Sequence, residues 1–305
     1  DLIKFYNFKN EVNKYNLPEN FNPSKEISSK IKIFATIPFF YNEKKIDKLF
    51  IVCENIIKIS KKSKIIILTN NISAKQLKKL KNKSKKFSNI KFKIHKNILN
   101  NRLLPWYHLS LMKEAYKDIT YTHFLYLEDD ICINKENFLY WCNSRNLLKK
   151  FNLIPGFIRT EKNKNDLYAI DFVKKLKKNK LANVLINKSY NFISHKYPYQ
   201  AMYLYDRELI KEHLDGPSSN PDCGHGAFNT NFIDKRMINL DLMAKASIGL
   251  TYMNVPKGFE SRIVVLYNLN KKQLDEKCYI KHLSNKYSKL KNSWFGNYKV
   301  SEVIQ

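Results

Sequence analysis

The stretch that most constrains this chain is His123 to Ile133, HFLYLEDDICI, an apolar run closed by three consecutive acids. Phe124, Leu125, Tyr126 and Leu127 read as a buried central strand. A strand core would not choose Glu128, Asp129 and Asp130 at its carboxyl end unless something positive sat there, because an unpaired buried carboxylate is costly. Ligands of open α/β sheets collect outside the carboxyl ends of the strands, so the position agrees with the charge. Both point to a metal and phosphate site.

The flanking sequence supplies a sheet for that strand. IKIFATIPFF, from Ile31, predicts a strand running into Pro38, and from Lys44 to Ile59 the residues Ile46, Leu49, Phe50, Cys53, Ile56 and Ile57 recur at helical spacing. KIIILT, Lys64 to Thr69, is a second strand; Asn70, Asn71 and Ser73 turn it into a Lys-rich helix ending near Phe87, and Ile90 to Ile94 is a third strand. Strands separated by helical patterns imply a mostly parallel, doubly wound α/β sheet with right-handed crossovers. Asn101 to Lys117 places Pro105 in a helix first turn, followed by Trp106, Leu109, Met112 and Tyr116.

After the acids, Glu136 to Leu148 predicts an amphipathic helix, Phe157 to Glu161 a short strand and Pro198 to Tyr205 another. A helix from Asn231 to Ser247 leads through Gly249 into a strand from Leu250 to Val255, and His282 falls in a short strand near the end. The expected organisation is an irregular arm over 1–28, one α/β domain over 29–290 and a tail over 291–305.

Charge is the boldest compositional signal. The formal net charge of +28 suggests nucleic acid or an anionic membrane surface as a partner. Only six of the 55 basic residues are Arg, the side chain that nucleic-acid readers favour for bidentate contacts, which argues against a dedicated reader. A diffuse Lys coat still favours anionic lipid heads. Five scattered cysteines show neither a Cys-X-X-Cys pair nor a dense disulfide framework, and no apolar run is long enough to span a membrane. The expected location is therefore cytoplasmic, peripheral on the inner face of a membrane.

A hydrophobic strand ending in an acidic triplet and followed by an amphipathic helix resembles the Asp-X-Asp motif of GT-A fold glycosyltransferases. The Glu-Asp-Asp variant, with Asn137-Phe138 and Tyr140-Trp141 behind it, is similar to the N-acetylglucosaminyltransferase I family and to family 2-like inverting enzymes. The resemblance implies a GT-A, Rossmann-like fold, with a mostly parallel central sheet flanked by helices. It implies a metal-dependent hexosyl- or N-acetylhexosaminyltransferase, using Mn2+ or Mg2+. The sugar would pass, with inversion, from a nucleotide-diphosphate sugar donor to a glycan or glycolipid acceptor in surface polysaccharide synthesis.

By the same likeness Asp130 is the direct metal ligand, Glu128 and Asp129 hold the ribose and metal-bound water, and His282 returns to the metal as a further ligand. Pro38, Phe39, Asn42 and Glu43 lie under the nucleotide base, Asn70 stands where the family often has a base-gripping acid, and Arg102, Trp106 and His108 line the donor pocket. The family's Glu-Asp pair is missing before Gly249, so the catalytic base is sought among Asp222, Asp234 and Asp241, with Asp234 favoured narrowly over Asp222. The Gly-rich loop from Asp215 to Thr230 is expected to close over the donor. Two other classes fit the acids: a metal-dependent phosphoryl-transfer enzyme acting on nucleic acid, and a non-catalytic GT-A-like carbohydrate-binding module.

Overall fold

A computed structural model describes residues 20–27, 30–98, 100–221, 240–290 and 295–305. The chain divides into two compact units. One takes Ser29–Cys132 and Ala201–Leu250; the other takes Ile133–Gln200 and Thr251–Gln305 together with the amino-terminal segment.

The first unit is built on four parallel strands: β1 (Ile33–Pro38), β2 (Lys64–Asn70), β3 (Ile90–His95) and β4 (His123–Leu127). Three helices connect them: α1 (Ile46–Ile59), α2 (Ala74–Ser84) and α3 (His108–Lys117). All six residues of β1 are buried, so both faces of the sheet are covered, and the continuous apolar runs of β1 and β2 are what such a strand requires. β3 instead alternates buried or half-buried with exposed positions, as an edge strand does. Ser73 opens α2 with a full capping box, its side chain accepting from the Gln76 N–H while the Gln76 side chain accepts from Ser73.

In space the order is β3-β2-β1-β4, with Met202–Asp206 added antiparallel beyond β4. The chain therefore winds outward from β1 to β3 and returns to the other side of β1 as β4. This is the Rossmann-like parallel core that the sequence predicts, and the order reverses between β1 and β4.

Arg207, at the start of the helix Arg207–Asp215, closes the far end of α3. Its guanidinium donates to the carbonyls of Tyr116, Asp118 and Tyr121 at 2.9–3.2 Å and lies over the Tyr116 ring. The Tyr116 carbonyl lies in the last turn of α3 and the other two just beyond it, where intrahelical donors run out. Arg207→Ala is expected to cost about 2–3 kcal/mol, read as a fall in the denaturant midpoint with unchanged slope.

The second unit is mixed and mostly antiparallel. One sheet runs Gln273–Leu274, Ile263–Asn268, Tyr190–Ser194 and Asn183–Leu185, with Ile154–Pro155 parallel to Ile263 and Val264. Another orders Tyr298–Lys299, Asp166–Ala169, Ile158–Asn163 and Tyr279–His282. The expected tail is thus partly a strand, with Ile304 also bridged to Leu176. Residues 20–27 pack on the same unit: Phe21 meets Tyr190 and Phe192 edge-on, and the Asn143 amide donates to the carbonyls of Pro23 and Lys25.

Two expected elements differ. Leu250 to Val255 is a turn rather than a strand: Gly249 has φ +49° beneath the Tyr205 hydroxyl, and that hydroxyl accepts the Leu250 N–H at 2.7 Å, withdrawing it from any ladder. Of the helix expected over Asn231 to Ser247, residues 231–239 lie outside the described residues. Its remaining part is a single turn, Leu242–Lys245, with Asp241 as its cap and not a mid-helix residue.

Candidate functional site

Parallel strands end on one edge, so the carboxyl ends of β1 to β4 gather the segments that come after them. After β1, Phe39 continues the ladder by donating to the Leu68 carbonyl at 2.7 Å, and Asn42 caps a short turn, Glu43–Lys45, that feeds α1. After β4 the acids form a tight turn, with the Ile131 N–H on the Glu128 carbonyl at 3.2 Å. The turn is tied down from the neighbouring strand, where the Ala201 carbonyl accepts the Glu128 N–H at 3.0 Å. Ala201 has φ +54°, a left-handed conformation that costs an L-residue roughly 1–2 kcal/mol.

The two segments meet at the switch point between β1 and β4. Lys45 Nζ lies 3.3 and 3.4 Å from the two carboxylate oxygens of Asp129. Asp129 and Asp130 are only 8% and 6% exposed, adjacent in sequence and both acidic, so the turn concentrates negative charge in a poorly hydrated place. Burial pushes the Asp129 carboxyl up to about 6 against the opposing pull of Lys45, and the neighbouring Asp130 pushes the same way. Lys45 is held above the usual ammonium range, because the attraction of Asp129, Asp130 and Glu128 outweighs its own desolvation. A carboxylate that burial disfavours in its charged form, as Asp129 is, gains from any cation that reaches it.

The other expected donor-site residues divide into those at this edge and those beneath it. Asn70 is half-buried, and its amide donates to the Asn101 side chain at 2.7 Å, joining the end of β2 to the turn Asn101–Tyr107. Arg102 is exposed in that turn, and Trp106 is largely buried, its indole N–H donating to the Leu242 carbonyl at 2.7 Å. Asn42 and Glu43 are exposed, and Glu43 is paired with Lys79 of α2. Pro38 and Phe39 are buried and extend the core.

His108 lies in the core beneath this edge. It is fully buried, its Nδ1 lies 2.6 Å from the Pro105 carbonyl, and its ring packs on Tyr126 and Tyr203. Register places Thr36, Tyr126 and Tyr203 side by side across the sheet, and His213 meets Tyr203 edge-on. A patterned strand hides this aromatic and imidazole stack, because only the sheet register aligns Tyr126 with Tyr203.

His282 belongs to the other unit. Its Nδ1 is 2.5 Å from Glu161 Oε1 and its Nε2 is 2.9 Å from Ser284 Oγ, both within the buried end of that sheet. Glu161 also accepts the N–H groups of Lys286 and Ser288, so it clamps the turn after His282. Asp222 and Asp234, and most of the Gly-rich loop, lie outside the described residues. Lys45 is the residue that sequence reasoning missed; nothing local separates it from the other lysines of the coat.

The donor set suits a hard divalent ion: two adjacent, buried carboxylates offer oxygen only. Among the described residues no three His, Cys, Asp or Glu side chains form a complete cage. These residues therefore fit an ion whose remaining ligands come from phosphate oxygens and water, as Mg2+ in particular tolerates.

No protein-family model matches the chain, and no curated protein sequence does. Solved structures give fold-level likenesses. A galactosyltransferase, LgtC, in complex with donor and acceptor sugar analogs aligns over 35% of this chain and 41% of its own, at 14% identity and TM-score 0.26. The mannosyltransferase PcManGT from Pyrobaculum calidifontis, in complex with GDP-Man and Mn2+, aligns over 74% and 59%, at 7% identity and TM-score 0.37. A 4-diphosphocytidyl-2C-methyl-D-erythritol synthase from Anaerococcus prevotii aligns over 62% and 77%, at 13% identity and TM-score 0.32. The aligned region thus spans less than two thirds of either glycosyltransferase. At these TM-scores the likenesses carry no argument about function.

Proposed function

We propose that this chain is a GT-A type, metal-dependent glycosyltransferase that moves a sugar from a nucleotide-diphosphate sugar to a glycan or glycolipid acceptor. The single observation that supports the reading is the acid turn at the switch point of a Rossmann-like sheet, where Asp129 and Asp130 are buried beside Lys45. In this reading Asp130 would hold Mn2+ or Mg2+ as the sequence resemblance implies, and Asp129, buried beside it, is added to that resemblance as a second ligand; the ion when bound would neutralise the diphosphate leaving group. Asn70, Asn101 and Arg102 stand on the same edge of the sheet, where Arg102 offers a fixed charge to an anionic donor. The base is assigned to Asp234, with Asp222 the alternative, and that assignment rests on the sequence resemblance alone. His282, held by Glu161 and Ser284, would need to leave those partners to reach a metal.

The test is incubation with a panel of nucleotide sugars and Mn2+, following nucleotide release with and without glycan and glycolipid acceptors. Metal-dependent release that an acceptor accelerates is the expected result. Pyrophosphate release from a nucleoside triphosphate and a sugar, with no turnover of nucleotide sugars, would overturn transfer in favour of nucleotidyl transfer. Nuclease or phosphatase activity would support the phosphoryl-transfer alternative, and binding of sugars without turnover the carbohydrate-binding one.

Among the described residues no helix is long and apolar enough to cross a membrane. The proposed location is cytoplasmic, peripheral on an anionic membrane face through the Lys coat. Liposome binding that rises with anionic lipid and collapses with salt is expected, and equal binding to neutral liposomes would remove the membrane from the proposal.

A further inference from the structure

We propose that Lys45 is the resident counter-ion of the acid turn, and that when a divalent ion takes its place on Asp129 the Lys45 ammonium turns to the diphosphate. The proposal rests on the glycosyltransferase reading of this site and assigns Lys45 as a positioning and diphosphate-binding residue. Its geometry is that of a shared, loosely held contact. One ammonium straddles both oxygens of Asp129 at 3.3 and 3.4 Å, longer than the ~2.7–2.9 Å of a tight charge-assisted hydrogen bond. A divalent ion and an ammonium compete for the same oxygens, since each repels the other.

Lys45 is placed to yield and to stay nearby. Its backbone is the N-cap of α1, and α1 is anchored by the buried side chains of Ile46, Leu49 and Phe50. Its side chain is 42% exposed, so the flexible stem can swing without disturbing packing. Lys44 and Lys48 are neighbours on the same turn; Lys44 is exposed and makes no ion pair among the described residues.

The experiment uses the full chain with Lys45→Met, which keeps the stem and removes the charge, Lys45→Arg, which keeps the charge, and Lys44→Met as the neighbouring control. Calorimetry measures Mn2+ alone, then UDP and GDP with and without saturating Mn2+. Lys45→Met is expected to bind Mn2+ more tightly, and to bind the diphosphate more weakly, each by on the order of tenfold, the scale of one charge-assisted contact. Lys45→Arg should retain diphosphate binding and Lys44→Met should match the unmodified chain. Mn2+ and diphosphate affinities in Lys45→Met within about twofold of the unmodified chain would overturn the proposal while leaving the site reading intact. Metal-independent diphosphate binding that Lys45→Met abolishes would keep the Lys45 contact and remove the metal from the site. Absence of binding of every probe to every protein would overturn both.

Discussion

On the proposed glycosyltransferase reading, Asp130→Asn is expected to abolish transfer while leaving the protein folded. The substitution keeps the shape of the side chain and removes the charge of one of two adjacent buried carboxylates at the switch point. A hard divalent ion held there would lose most of its affinity when an anionic oxygen becomes a neutral one, and with it the neutralisation of the leaving diphosphate that the ion would supply. Turnover should fall by about 10²–10³-fold or more, together with metal-dependent diphosphate binding. Thermal stability should hold or rise, because Asp130 is one of the groups that push the Asp129 carboxyl up. Undiminished Mn2+-dependent nucleotide affinity by calorimetry would show that Asp130 is not the ligand.

Acid is expected to unfold the first unit well before its surface carboxylates demand it. His108 and His213 are buried neutral, the first pushed down to about 4 and the second to about 3, in both cases by burial. In the unfolded chain each takes a proton near the ordinary histidine value of about 6.5. A depressed folded pKa means that stability is fully present above about 6.5 and is lost as pH falls, since the unfolded state binds the protons first. Each imidazole accounts for roughly 3–5 kcal/mol by the time the pH reaches its folded value, enough together to consume much of a domain's stability. The combined variant His108→Gln and His213→Gln should be less stable at pH 7.5 yet flatter between pH 6.5 and 4, measured by denaturant midpoint against pH. An equally steep decline in the variant would place the acid sensitivity elsewhere.

The strands of the central sheet were legible because each is a continuous apolar run bounded by turn residues, and β1, β2 and β4 fall where the pattern set them. The acid turn was legible for the opposite reason, since three carboxylates after a buried strand contradict the pattern. The strand expected over Leu250 to Val255 failed because a distant hydroxyl, that of Tyr205, takes its first N–H. The surroundings of His108 were not legible, because helical spacing says which residues share a stripe and not whether that stripe faces a pocket or the Tyr126 and Tyr203 rings.

By itself the sequence determined the parallel α/β core and the place of the acids at its carboxyl edge, because hydrophobic period and strand ends are local properties. The tertiary structure alone decided three things: that the chain divides into two units, that His282 is engaged by Glu161, and that Lys45 serves Asp129. Lys45 and Asp129 are 84 positions apart, and only the return of the chain across β1 brings them together. A single lysine has no local signature that distinguishes a partner from a coat; its role is set by the charge that folding places beside it.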